Sequence, residues 1–91
     1  MVRVEVRLFA NLREAAEKES LFIDFANVPT VEDALKELLR CNSGLKKILL
    51  FNGVFNEHYK VLVGSDIVFP ENFSNVLVGS RIAILPPVSG G

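Results

Sequence analysis

The sequence closes on Pro86-Pro87-Val88-Ser89-Gly90-Gly91, and its last two residues carry no side chain. An α-carboxylate set on Gly-Gly is thin and free in φ and ψ, so it can thread a channel that a Cβ atom would block. The two prolines fix φ and cannot donate to a sheet ladder, which favours an extended exit. From Leu85 to the end, the covalent chain spans at most about 20 Å. The chemistry implied is a carboxylate offered to another protein's active site. A carboxylate is a poor electrophile, so it must be activated there before it can react. Residues 86–91 are therefore expected to form a flexible tail on a domain spanning 1–85.

Composition narrows the alternatives. The 91 residues suit one domain, and an apolar share of 49% is enough for a core. Ten basic and eleven acidic residues leave a net charge of −1, with no basic stripe that would suit nucleic acid. No apolar run approaches the roughly 20 residues of a membrane span. Met1-Val2-Arg3-Val4-Glu5 alternates charge with β-branched residues and does not resemble a signal peptide. A lone cysteine fits a reducing, cytoplasmic setting. Cys41 falls at the edge of a helical apolar stripe and is expected to be a small buried hydrophobe. His58, between Glu57 and Tyr59, reads as a solvated loop residue. One histidine and one cysteine at no ligand spacing do not suggest a metal site.

The elements that must position the tail follow from periodicity. Residues 2 to 9 alternate as a strand, with Val2, Val4, Val6 and Leu8 on one face and Arg3, Glu5, Arg7 and Phe9 on the other. Asn11 to Lys18 is helix-like, with Asn11 as its expected cap. Leu21, Ile23 and Phe25 mark a second strand, expected to lie antiparallel to the first. Thr30 followed by Asp33 resembles a capping box with the shorter acid, at the start of the main helix, whose expected buried stripe is Val31, Ala34, Leu35, Leu38 and Leu39. Asn42-Ser43-Gly44 is its stop, and Leu45, Ile48 and Leu49 suggest one more helical turn. Asn52-Gly53 opens a loop. Gly64-Ser65 suits a type II′ turn between short strands over 59–63 and 67–69. Gly79-Ser80 leads into a last strand, Arg81 to Leu85. The seven phenylalanines are expected to be mostly core, with Phe73 or Phe55 the candidate for a surface position. Arg13 and Glu14 read as a solvated helix face. The class is α+β, a mixed sheet of about four to five strands covered by one main helix.

Three segments carry a family resemblance. They are Val6-Arg7-Leu8-Phe9-Ala10-Asn11-Leu12-Arg13-Glu14, then Thr30-Val31-Glu32-Asp33-Ala34-Leu35, then Gly79 through Gly91. Together they resemble the ubiquitin-like sulfur carriers, namely the small subunit of molybdopterin synthase and its thiamine-biosynthesis relative. The ending Pro-Pro-Val-Ser-Gly-Gly favours the former. The resemblance implies a β-grasp fold. The chain departs from the family pattern at Gly64-Ser65, in place of Asn-Gly, and at Gly79-Ser80-Arg81, in place of Gly-Asp-Glu.

The resemblance also implies a chemistry. A ubiquitin-activating-type adenylyltransferase, using ATP and magnesium, would adenylate Gly91. A sulfur donor protein would convert the adenylate to a thiocarboxylate. The molybdopterin synthase large subunit, which holds the catalytic groups, would take that sulfur for a pterin precursor of the molybdenum or tungsten cofactor. The chain itself is then a non-catalytic carrier with no permanently bound cofactor. Gly90 and Gly91 are its reacting end. Phe9, Ile67 and Leu85 would form an apolar docking patch rimmed by Arg81 and Arg7, and Pro86, Pro87, Val88 and Ser89 would line the partner's channel. A protein modifier joined to lysines would use the same activation, a thiamine sulfur carrier would use the same tail, and an interaction domain with an inert tail would use neither.

Overall fold

A computed structural model describes residues 1–87. In chain order the elements are β1 (Val2–Leu8), α1 (Asn11–Ala16), β2 (Ser20–Phe25), α2 (Val31–Cys41), α3 (Ser43–Leu49), β3 (Leu50–Phe51), β4 (Val54–Phe55), β5 (Lys60–Val63), β6 (Asp66–Val68) and β7 (Arg81–Leu85), with a 3-10 turn at Pro70–Asn72. Five strands form one sheet in the order β2-β1-β7-β5-β6. β1 and β7 run parallel at its centre, and the other neighbours are antiparallel. One sheet face is covered by α2, and the arrangement is the β-grasp fold.

The alternation read from the sequence sets the layers. Val4, Val6 and Leu8 of β1, Ile82 and Ile84 of β7, and Val61 and Val68 of β5 and β6 are buried. They meet Val31, Ala34, Leu35, Leu38 and Leu39 of α2, and Leu45 and Leu49 of α3. β2 lies antiparallel to β1, with Val4 opposite Ile23 and Val6 opposite Leu21.

The first turn of α2 is fully occupied. The Asp33 N–H donates to Thr30 Oγ1 at 3.1 Å, and the Thr30 N–H donates back to Asp33 Oδ2 at 3.4 Å. The N–H groups of Val31 and Glu32 donate to the carbonyls of Val76 and Phe73, each at 2.9 Å. These bonds satisfy donors that a helix start leaves open. They also tie the 73–78 segment across the helix end, where Thr30 bridges Leu77. The far end stops at Asn42, whose extended backbone breaks the helix and whose side-chain amide donates to the Leu38 carbonyl at 3.1 Å. No left-handed glycine is used; Gly44 lies inside α3.

Four expectations are corrected. Asn11 is a helical residue, not the cap of α1; Ala10 holds that position at φ 51, ψ −125, and the Asn11 amide donates to the Tyr59 hydroxyl at 2.8 Å. Cys41 is exposed, because α2 ends there and the chain turns away before the core closes over it. Phe73 is buried edge-on to Phe55 at 5.2 Å between ring centroids, whereas Phe22, Phe51 and Phe69 are the exposed phenylalanines. Asn52-Gly53 is no loose loop but the tight turn of a β3–β4 hairpin, with φ of 54 and 80. Positive φ at both central residues is the type I′ requirement. The Gly64-Ser65 turn matches expectation: Gly64 has φ 64 and joins Val63 to its partner Asp66.

Candidate functional site

The sheet face turned away from α2 carries the candidate docking surface, and strand register assembles it. Arg81, Ala83 and Leu85 of β7 point outward, because Ile82 and Ile84 between them are buried. Ala83 stands beside Arg7 of β1 and Leu62 of β5, and Leu62 in turn faces Ile67 of β6. Paired residues share a face, so Ile67, Leu62 and Ala83 form an apolar row across three strands. Leu85 pairs with Lys60 at the end of the row. Phe9 follows β1 with its ring beneath the Arg7 guanidinium, 5.9 Å from centroid to carbon. Ile67 is 50% exposed, while Phe9 and Leu85 are half-buried.

The structure thus brings Phe9, Ile67 and Leu85 onto one face. It adds Leu62 and Ala83, which sequence reasoning missed. The signal was present: Val61, between Lys60 and Leu62, is the buried partner of Ile84, which turns Leu62 outward. Phe22, 62% exposed and opposite Glu5, extends apolar surface to the β2 edge.

A charged cluster closes the far end of this face. Arg81 Nε donates to Glu5 Oε1 at 2.9 Å, and the Ser20 hydroxyl donates to Glu5 Oε2 at 3.0 Å. Arg7 Nη1 stands 4.0 Å from the same carboxylate. The Ser20 bond holds the Glu5 carboxyl below its ordinary pKa, assisted by Arg81 and opposed by desolvation. Two guanidiniums share one carboxylate, so the rim keeps a positive balance. The buried Arg7 Nε has no hydrogen-bond partner among the described residues. Arg81 is therefore held in place by Glu5, two residues along β7 from Ala83 on the same face.

The exit of the tail is built by the same register. Leu85 ends β7 between Lys60 of β5 and the end of β1, and Pro86 and Pro87 follow. Pro86 is half-buried and Pro87 is exposed. The expectations placed on Val88, Ser89, Gly90 and Gly91 lie outside the described residues. Among the described residues no group of three or more His, Cys, Asp and Glu side chains could hold a metal ion. Among the described residues no helix is long and apolar enough to cross a membrane. His58 and Cys41 are both exposed. Arg13 reaches Glu19 at 3.6 Å on the solvated side of α1.

Comparison with known proteins extends these observations. The family model described as the ThiS family matches residues 6–91. Small archaeal modifier protein 3 of Haloferax volcanii is 30% identical over 92 residues, covering 99% of this chain and 100% of that protein. The crystal structure of small archaeal modifier protein 1 from the same organism superposes with a TM-score of 0.84 at 30% identity, covering 98% of this chain and 99% of the other. The solution structure of small archaeal modifier protein 1 from Methanosarcina acetivorans gives 0.81 at 31%, covering 100% and 98%.

Proposed function

This chain belongs to the ThiS family, and from that premise we propose that it is a ubiquitin-like carrier whose Gly91 carboxylate is adenylated and then joined, as a small protein modifier, to lysine amines of other proteins. The observation that carries the reading is the end-to-end match to small archaeal modifiers at 30% identity, together with a tail that leaves the centre of the sheet beside the apolar row. In the first step the carboxylate oxygen attacks the α-phosphorus of ATP, with magnesium on the activating enzyme. This forms the acyl-adenylate and releases pyrophosphate. In the second, a lysine amine attacks the carbonyl, AMP leaves, and the amine gives up a proton as the isopeptide bond forms. The chain supplies the reacting carbonyl and a docking face, and general acid–base groups belong to the partner.

Sulfur delivery is a second reading, favoured by the family model's reach to Gly91 and by the Pro-Pro-Val-Ser-Gly-Gly ending. In it, a hydrosulfide ion released by a donor protein displaces AMP from the same adenylate and gives up its proton, leaving a thiocarboxylate. A molybdopterin synthase large subunit or a thiamine-precursor enzyme would then consume that sulfur. The two readings share activation and separate at the second nucleophile.

The test is mass spectrometry of the chain and its cell extract. Gly-Gly remnants on lysines of other proteins are expected for the modifier. An intact-mass gain of about 16 Da, oxygen replaced by sulfur, is expected for the carrier. A Gly91→Ala variant is expected to keep its fold and lose both products, because a Cβ crowds the adenylate. Unchanged conjugation by that variant refutes the proposal.

A further inference from the structure

A groove between α2 and the β3–β4 hairpin lies on the helix side of the sheet, away from the docking face, and no step proposed for the tail uses it. Its volume is about 450 Å³, within the rough 300–1,000 Å³ range of small-molecule sites. One wall is a stripe of α2 from Glu32 to Arg40, about 12 Å long at 1.5 Å per residue. Leu35 and Leu39 make that wall apolar, and Leu50, Phe55 and Phe73 complete the apolar lining. Leu50 and Phe55 are the inward cross-strand pair of the hairpin, and Phe55 packs on Phe73. Phe51 and Val54 point the other way and do not line the groove. The apolar lining is therefore a bounded slot, not the margin of a wider patch. Gly53 in the hairpin turn keeps its mouth open, since a Cβ there would meet no atom within 4 Å.

The charges along the slot do not cancel. Its ionised lining side chains are Glu32, Lys36, Arg40 and Lys46. Lys36 stands 3.4 Å from Glu32, and Arg40 forks onto Glu37, which lies outside the lining. Lys46 makes no ion pair among the described residues. Pairing thus leaves one uncompensated ammonium beside an apolar slot. The ligand that matches carries one negative charge and an apolar body about as long as the slot. A cation of the same body would meet repulsion from Lys46. A polyanion would press charge against the leucines and phenylalanines, where no partner repays its lost hydration.

We propose that this groove is a binding site for a small amphipathic monocarboxylate, its apolar body laid along Leu35, Leu39 and Phe55 and its carboxylate beside Lys46. Apolar surface removed from water supplies most of the affinity. The Lys46 ammonium supplies the choice of charge, and its exposure keeps that contribution modest. The site is separate from the docking face and the tail, so its occupancy does not depend on the activation of Gly91.

The experiment titrates the full isotope-labelled chain with phenylbutyrate and follows its backbone amides by NMR. Phenylbutylamine, with the same body and the opposite charge, is the comparison probe. The expected result is a saturable shift of the Leu39, Leu50 and Gly53 amides at millimolar phenylbutyrate, with the amine binding about fivefold more weakly. Lys46→Glu changes an exposed side chain, keeps the fold, and should reverse the preference so that the amine binds better. Lys47→Glu makes the same change of charge one residue away, outside the lining, and should keep the wild-type preference. No saturable shift at those amides overturns the site, as does equal affinity of the wild-type chain for both probes. A preference that survives Lys46→Glu, or that Lys47→Glu reverses equally, overturns it as well.

Discussion

Ile84 and Leu85 are neighbours on β7 that face opposite sides of the sheet, and this pair gives the sharpest test of the site. Ile84 is fully buried. Cutting it to alanine removes buried carbons and leaves a cavity, which costs about 2–5 kcal/mol. In a domain of this size each kcal/mol lowers Tm by about 4–8 °C. Ile84→Ala should therefore melt at least about 8 °C below wild type. Leu85 is half-buried on the outer face, so water fills the space its truncation leaves and no cavity penalty arises. Half the transfer free energy of three carbons is about 1 kcal/mol. Leu85→Ala should lose about 4–8 °C and no more. In pyrophosphate exchange the order reverses: Leu85→Ala raises KM about tenfold, and Ile84→Ala, assayed below its Tm, leaves it nearly unchanged. Thermal melts by circular dichroism and the exchange assay on the same preparations decide the matter. A Leu85→Ala protein that melts as low as Ile84→Ala while keeping wild-type KM refutes the assignment of faces to roles.

Further outcomes follow from other residues. Thr30→Ala removes the hydroxyl of the capping box and should cost about 1 kcal/mol, read as a lower urea midpoint at unchanged m. Ala10→Gly relieves a backbone held at φ 51, ψ −125, and should raise stability by about 1 kcal/mol in the same titration. The Glu5 and Asp24 carboxyls are held below their ordinary pKa values, Glu5 chiefly by Ser20 and Asp24 chiefly by the bond from Arg3. A carboxyl depressed in the folded state binds fewer protons there than in the unfolded chain. Its stabilisation is thus present above the unfolded pKa, about 4.3 for glutamate, and is lost as pH falls through the lower folded value. Glu5→Gln should flatten the acid limb of a stability–pH curve below about pH 4 and leave its neutral limb parallel to wild type.

Much of this architecture is legible in the residues, because local signals and global packing agree. The Thr30–Asp33 box, the stripe from Val31 to Leu39, the alternation of β1 and β7, and the Gly64-Ser65 turn each name their element. The parallel meeting of β1 and β7 carries no local mark; it joins residues far apart in sequence and rests on burial of Val6 and Ile82 against the same helix. The Asn52-Gly53 hairpin had the strongest short turn signal available, yet its strands of two residues are too short to alternate. Cys41 sits at a core-facing spacing from Leu38, but position along a helix decides burial as much as angle does, and α2 ends there. The face of the candidate site was readable from Phe9 and Leu85, whereas Leu62 needed the register of β5 to place it. In the proposed function, the choice between an amine and a sulfur nucleophile belongs to the partner's chemistry.

The placement of β7 has a mechanical consequence. The strand that leads to the tail is bonded along both edges, parallel to β1 and antiparallel to β5. Traction along the tail therefore loads two rows of bonds in shear together, not one bond at a time as at a peeling edge. Under the proposed activation, an enzyme that drew the end of the chain into a narrow bore would be pulling on a domain that bears the strain as a rigid handle.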